Sequence, residues 1–245
     1  MKSSRKKEIL EIVNQTEIVS YQTLADKLQV STMTIRRDIN ELANEDKVIK
    51  EHGGVRRVLA IKATNEKMAL NVEEKEYMAK VASDLIQPNS VIYLGAGTSI
   101  LYLAKQLKND HKHIITNSLF TFNWLVENNF ENVLLTGGEY VSKTGEFHGK
   151  HAENLVQDFL IDYAFLATNG IFENNMTTFS PFCARLQTIV MEHSKETYLL
   201  VDHSKFGVSD SYIFGKLNQL TAVISDDKLD ESVKKHYEQY AKIIH

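Results

Sequence analysis

Residues 20–42 read SYQTLADKLQVSTMTIRRDINEL, and this stretch decides the first fold assignment. Ser20 precedes a helical run that puts Leu24 and Leu28 on one face. Gln29-Val30 then form a turn, and Ser31 opens a second helix reaching about Glu45. A serine at a helix entry accepts a backbone N–H that would otherwise lack a partner in the first turn. In the second helix Ile35, Ile39 and Leu42 fall at i, i+4 and i+7, which is one buried stripe. At about 100° per residue, the opposite face carries Met33, Thr34, Arg36, Arg37, Asn40 and Asn44. Arginine matches guanine edges and phosphates, asparagine matches adenine, and threonine matches a phosphate or a thymine methyl. The expectation is a helix-turn-helix whose second helix enters the major groove of double-stranded DNA. Its DNA-facing residues are Ser31, Thr32, Met33, Thr34, Arg36, Arg37 and Asn40. The plainer alternative is an amphipathic helix with a solvated polar face.

The flanking segments favour the first reading. Lys47-Val48-Ile49-Lys50-Glu51 alternates like a strand, His52-Gly53-Gly54 turns, and Val55-Arg56-Arg57-Val58 returns. Upstream, Ser3 or Ser4 is placed to cap a helix running to about Asn14, with Ile9, Ile12 and Val13 inward. Arg5, Lys6 and Lys7 lie at its start, where they could touch phosphates. Three helices and a hairpin make a winged helix-turn-helix over residues 1–59. Arg56 and Arg57 stand on the wing, within reach of phosphate or the minor groove.

The charge distribution agrees. The net charge of −4 is unfavourable for a nucleic-acid binder, but it is unevenly spread. Residues 1–60 hold 11 Lys and Arg against 9 Asp and Glu, whereas residues 61–245 hold 17 against 23. Five of the six arginines precede residue 58, and Arg185 alone follows. That division suits a small DNA-facing module on an acidic body. The single cysteine, Cys183, excludes an intrachain disulfide. The opening MKSSRKKEILEIV has helical spacing broken by Glu8 and Glu11, so it is read as a helix and not as a secretion signal. No stretch approaches the run of about 20 apolar residues that spans a bilayer. A cytoplasmic location without a membrane partner is expected.

Residues 60–72 lack periodicity and are read as a linker, and residues 73–245 form a second domain. In it Met78, Val81, Ala82 and Leu85 mark a helix ended by Pro88-Asn89. Short apolar strands follow at 91–94, 113–116, 133–135, 163–166, 197–201 and 222–224. Helices are expected at 99–107, 119–126, 182–193 and 230–240. Strands alternating with helices imply an α/β domain with a largely parallel sheet.

Ligands of such sheets bind beyond the carboxyl ends of the strands. Four strand ends carry related chemistry. In Leu94-Gly95-Ala96-Gly97-Thr98-Ser99 the glycines admit an anion to the backbone, and a helix N-terminus with two hydroxyls can hold phosphate. Thr116-Asn117-Ser118 and Thr136-Gly137-Gly138 end two more strands. Val201-Asp202-His203-Ser204-Lys205 offers a carboxylate for sugar hydroxyls and a lysine for charge. Each turn is weak evidence alone, and a pair such as Asn117-Ser118 is more often a helix cap. Together they indicate a polyol-phosphate pocket. There is no Walker A pattern. His111-x-His113 and His148-x-x-His151 lack an accompanying ligand set and are read as solvated loop histidines, so neither metal nor cofactor is expected. Cys183 has no base nearby in sequence and is read as a plain helix residue.

LQVSTMTIRRDINEL followed by KEHGGVRR resembles the N-terminal module of DeoR-type bacterial transcription repressors. LGAGTS, ITNSL, LLTGGE, DYAFLATNGI and LLVDHSKFG resemble that family's effector domain, which is itself similar to sugar-phosphate isomerases. VDHSK, LTAVISD and the GAGTS turn are most similar to the lactose phosphotransferase-system branch, whose inducer is tagatose 6-phosphate. The resemblance implies a phosphate cradle at Gly97, Thr98 and Ser99. Further effector contacts are implied at Asn117, Ser118, Gly138, Asp202 and Lys205, and Arg185 is added as the domain's only arginine. Two departures stand out. Many family members carry an acidic residue where Gly95 stands, and many carry Glu and Lys around Cys183 and Gln187.

The expected function is therefore a ligand-controlled repressor acting as a dimer or tetramer, since one small module buries too little surface for high specificity. The rival is a sugar-phosphate isomerase carrying a DNA-binding module. Isomerisation needs a positioned base, and Ala167-Thr168-Asn169-Gly170, where similar isomerases are acidic, has none. Asp202 remains as a possible base. No catalytic residue is assigned.

Overall fold

The computed structural model describes residues 2–15, 18–44, 47–51, 53–57, 64–111 and 113–245. The chain divides into two compact units, Met1–Ala60 and Ile61–His245.

In the first unit the order is α1 (Lys2–Gln15), β1 (Val19–Ser20), α2 (Tyr21–Leu28), α3 (Thr32–Asn44), β2 (Val48–Glu51) and β3 (Gly54–Arg57). Ser20 caps α2 by accepting the Thr23 N–H at 3.0 Å, and Ser31 accepts the Thr34 N–H at 3.2 Å at the start of α3. Gln29 adopts a left-handed conformation, φ 52°, to end α2. Ile9, Val13, Leu24, Ile35, Ile39, Leu42, Val48 and Val55 form the core. α1 begins ahead of Ser3 and Ser4, whose side chains lie outside the described residues, as do Glu45, His52 and Val58. The wing is more than the expected hairpin. β1 pairs antiparallel with β3, Val19 opposite Val55, and makes a three-stranded sheet in the order β1-β3-β2. Two residues are too few to show an alternation, which is why the pattern concealed this strand.

The second unit opens with α4 (Thr64–Met68) and α5 (Val72–Ser83). Then come β4 (Val91–Leu94), α6 (Thr98–Ala104), β5 (His113–Thr116), α7 (Leu119–Glu127) and β6 (Val133–Leu135). A hairpin of β7 (Glu139–Val141) and β8 (Glu146–His148) leads to α8 (Lys150–Gln157) and β9 (Ile161–Ala167). β10 (Gly170–Phe172), β11 (Asn175–Thr178), α9 (Pro181–Glu192), β12 (Ser194–Leu200), β13 (Tyr212–Lys216), β14 (Ala222–Ile224), α10 (Glu231–Tyr237) and β15 (Ile243–Ile244) complete it. Seven strands form one parallel sheet in the order β15-β14-β12-β9-β4-β5-β6. Alternate residues face opposite sides, as the two-residue period of a strand requires. Tyr93, Ala164, Leu166 and Leu199 pack with α8 and α9, whereas Ile92, Leu94, Phe165 and Leu200 pack with α5 and α6.

The chain lays β4, β5 and β6 outward in one direction, then returns to place β9 on the free side of β4. The order therefore reverses between β4 and β9, and this is where an open parallel sheet leaves a crevice beyond its carboxyl ends. The hairpin β7-β8 and the antiparallel sheet β10-β11-β13 are additions at that end, and the sequence reading missed both. Residues 60–63 of the expected linker lie outside the described residues. The rest of it is structured. Thr64 donates its N–H to the Lys143 carbonyl at 3.2 Å and its hydroxyl to the Thr144 carbonyl at 2.7 Å, which docks α4 on the hairpin turn.

Candidate functional site

On α3 the sequence-predicted face is presented to solvent. Met33 is 74% exposed, and Ser31, Arg36, Arg37 and Asn40 are exposed, with Thr32 and Thr34 half-buried. The Arg36 guanidinium lies 5.6 Å over the Tyr21 ring, and Arg37 makes only a loose 3.8 Å pair with Glu41. Asn40 Oδ1 accepts from Lys50 Nζ at 3.1 Å. Arg56 and Arg57 lie in β3, with side chains outside the described ones. The N-terminal basic residues need a correction. Arg5 is held by Asp38 at 2.5 Å and Lys6 by Glu41 at 3.0 Å, so both are engaged within the module. Asp38 is 1% exposed and sits between Ile35 and Leu42 on the buried stripe, where its charge needs that partner.

At the sheet's carboxyl edge, the turn after β4 lies beside the end of β9. Gly97 has φ +142°, and a Cβ there would stand 2.9 Å from the Ala167 Cβ, so only glycine passes. Thr98 and Ser99 are buried, and their hydroxyls meet no partner among the described residues. At Gly95 a Cβ would lie 3.2 Å from the Phe165 carbonyl oxygen, to which the Gly95 N–H donates at 2.9 Å, so the turn is held against the end of β9. Asn117 is 5% exposed. Its Nδ2 donates to the Phe147 carbonyl at 3.1 Å, and its Oδ1 is buried with no donor. Ser118 instead caps α7 through the Thr121 N–H. Gly138 answers to packing, since with φ +108° its Cβ would meet the His148 carbonyl oxygen at 2.4 Å.

Asp202 caps the short 3-10 turn His203–Lys205 by accepting from the Ser204 N–H, and it also accepts from Asn71 Nδ2 at 3.2 Å. Arg185 is not brought together with these groups. Its side chain is 61% exposed and its ion pair is with Glu153 of α8, at 3.9 Å.

Three acidic or basic residues join this edge that the sequence reading did not pick out. Lys75 of α5 is 4% exposed and interacts electrostatically with Asp202 and Lys205. Its ammonium donates to the carbonyls of Lys67, at 2.6 Å, and Leu70. Burial holds its pKa below the usual lysine value. Asp210, remote in sequence, accepts from Asn169 at 2.6 Å just after β9. Glu146 of β8 is 7% exposed and receives the Cys183 thiol at 3.6 Å. Burial and that carboxylate push the thiol well above its ordinary range, so Cys183 is no nucleophile. The signal for Lys75 was present: it shares the stripe of Met78, Ala79 and Ala82, where a charge is out of place.

Neither His113 nor His148 is a solvated loop residue, whereas His151 is exposed on α8. His113 is in β5 with its ring against Phe159, and His148 is 5% exposed and stacked on Phe182. Among the described residues no three His, Cys, Asp or Glu gather as a metal site, and no helix is long and apolar enough to cross a membrane.

A winged helix-turn-helix joined to a doubly wound parallel sheet, with polar loops at its reversal point, defines a DNA-binding regulator with a sensor domain. The chain belongs to the DeoR family: residues 5–59 match the DeoR-like helix-turn-helix domain and residues 70–227 the DeoR C terminal sensor domain. The lactose phosphotransferase system repressors of Staphylococcus epidermidis and Streptococcus mutans are similar to it at 35% and 33% identity, each over 99% of both chains. Ribose 5-phosphate isomerase A from Methanocaldococcus jannaschii is similar over 58% of this chain and 55% of its own, at 19% identity and a TM-score of 0.40. That likeness is too partial to bear on chemistry.

Proposed function

We propose that the chain represses transcription by holding operator DNA on α3 and lets go when a phosphorylated sugar occupies the carboxyl edge of the parallel sheet. The observation that carries this is the division of α3. Ile35, Ile39 and Leu42 are fully buried while Met33, Arg36, Arg37 and Asn40 are exposed on the other side, which leaves the polar face available for a groove. Ser31, Thr32 and Thr34 at the helix start and Arg56 and Arg57 of the wing take backbone phosphates. Two or more copies present their α3 helices to successive grooves, and the setting is the cytoplasm.

In the sensor, Gly97, Thr98 and Ser99 receive the phosphate, with Lys205 and Lys75 supplying charge. Asn117 and Asp202 meet the sugar. Hexose 6-phosphates are the natural candidates, and tagatose 6-phosphate is the first to try, given relatives that regulate a lactose phosphotransferase system. The sugar must bind the DNA-free arrangement more tightly for release to follow. The role is regulatory and not catalytic. Asp202, Asp210 and Asp226 at this edge each accept hydrogen bonds from neighbours, and Glu146 accepts the Cys183 thiol, so none is assigned as a base.

Selecting bound sequences from a random DNA pool, then titrating the full-length protein against the winner with each sugar phosphate, tests the whole reading. Release by one compound, with no turnover of it by NMR, is the expected result. Binding without sequence preference, or conversion of the sugar, would overturn it.

A further inference from the structure

The surface of β8 turned toward α9 is polar where a buried strand face is ordinarily apolar. Glu146 and His148 alternate with Phe147, and these two polar residues are the buried ones. Glu146 Oε2 has one donor, the Cys183 thiol at 3.6 Å, which is a weak one. Its other carboxylate oxygen has no donor, and no Lys, Arg or His pairs with it among the described residues. Two more acceptors adjoin this contact. Asn117 Oδ1 lies on the segment that the hairpin strand covers, and Gln187 Oε1 lies one helical turn beyond Cys183. Both are buried without a donor. Gln187 Nε2 donates to the carbonyl of Ala167 at 3.2 Å, so this helix face reaches the end of β9, at the reversal point of the sheet.

We propose that Glu146 is the specificity residue of the ligand site and that the sugar phosphate it selects carries a protonated amine. The inference rests on the effector reading above and names its ligand class. A largely buried carboxylate gains from a donor or cation that meets it. Here the protein supplies the weak thiol, the two amide oxygens and, along the same strand face, the His148 ring, whose two nitrogens are buried without a partner. A sugar hydroxyl would bring one hydrogen and two lone pairs, and the lone pairs would face those oxygens. An ammonium brings three N–H donors, a positive charge and no lone pair. It satisfies the carboxylate and both amide oxygens together.

The placement fits a ligand with a charge at each end. Tyr93 is buried on the α9 side of β4. The Gly97–Ser99 turn leaves the same strand and enters α6, which packs on the opposite face. An anion at the turn and a cation at Glu146 would therefore lie at the two sides of one strand end, spanned by a sugar ring.

The test uses the full-length protein and three matched probes: glucosamine 6-phosphate, glucose 6-phosphate and N-acetylglucosamine 6-phosphate, with the galacto series beside them. Calorimetric titration should show the free amine of one series bound at least about tenfold more tightly than its hydroxyl and N-acetyl counterparts. Glu146→Gln should bring the amine down to the level of the hydroxyl sugar, so that the preference between the two is lost. Equal or tighter binding of the hydroxyl or N-acetyl probes by the unaltered protein would overturn the inference and leave the effector reading standing. A preference that survives Glu146→Gln would overturn the assignment to that residue. If the variant does not fold, the three-probe comparison on the unaltered protein decides alone. Absence of binding by every sugar phosphate and by inorganic phosphate would remove the effector reading, and this inference with it.

Discussion

The two candidate surfaces are built in opposite ways. The exposed polar residues of α3 come from one continuous helix, and their geometry follows from 3.6 residues per turn. The sensor's rim is assembled from the ends of β4, β5, β9 and β12, from a hairpin, from α9 and from the start of α5. In the first case local sequence determines the site. In the second the topology does, and local sequence supplies only fragments.

This contrast can be broken or sharpened experimentally. The largest expected effect is on the continuous surface. Replacing Arg36 and Arg37 together with alanine should weaken operator binding about a hundredfold, at 1–3 kcal/mol for a base-contacting arginine and less for a phosphate contact. Sugar-phosphate affinity should stay unchanged in a titration of the same variant. Loss of both activities would mean that the two surfaces are not separable.

Next comes the assembled rim. Gly138→Ala places a methyl against the His148 carbonyl in a left-handed backbone, and should cost about 2 kcal/mol of stability in denaturant unfolding. It should loosen the hairpin and so weaken ligand binding. DNA affinity of the free protein should be spared.

A smaller effect is expected at Lys75. Its pKa is lowered by burial, so its positive charge is lost at a lower pH than for a free lysine. Phosphate affinity should fall as pH rises through that lowered value, and stability should rise in the window between it and 10.5, where the unfolded chain still holds the proton. Lys75→Met should weaken the ligand about tenfold near neutrality and flatten the alkaline limb of the binding profile. An unchanged profile would remove Lys75 from the site.

The smallest is Ser20→Ala, which removes the cap on Thr23 and should lower the stability of the DNA-binding module by about 1 kcal/mol. Calorimetry should show the sensor's transition unmoved.

What could be read in advance follows the same division. The three helices of the first module and, in the second, six strands of the parallel sheet and the five helices α5, α6, α7, α9 and α10 were legible because apolar periodicity marks each one, whereas α4, α8 and β15 were not read. β1 was not, since two residues have no period. The hairpin β7-β8 was hidden for a different reason: its buried face is polar, so Glu146-Phe147-His148 reads as an inverted strand. Arg185 looked like a ligand residue because it stands alone in sequence, yet its helix turns it outward to Glu153. Asp38 and Lys75 teach a shared lesson. Each is a charge on an otherwise apolar helical stripe, at i+3 from Ile35 and i−3 from Met78. One proved to be an internal clamp on Arg5, the other part of the sensor's edge.

The docking of α4 bears on how such regulators can be recombined. Thr64 is tied to the hairpin turn, and the carbonyls of Lys67 and Leu70 receive the Lys75 ammonium. A hybrid that grafts a foreign DNA-binding module onto this sensor should therefore be spliced upstream of Thr64. Spliced at Val72, it would leave a buried ammonium without its two acceptors and a hairpin without its brace, and the graft would respond poorly to its sugar however well it read its operator.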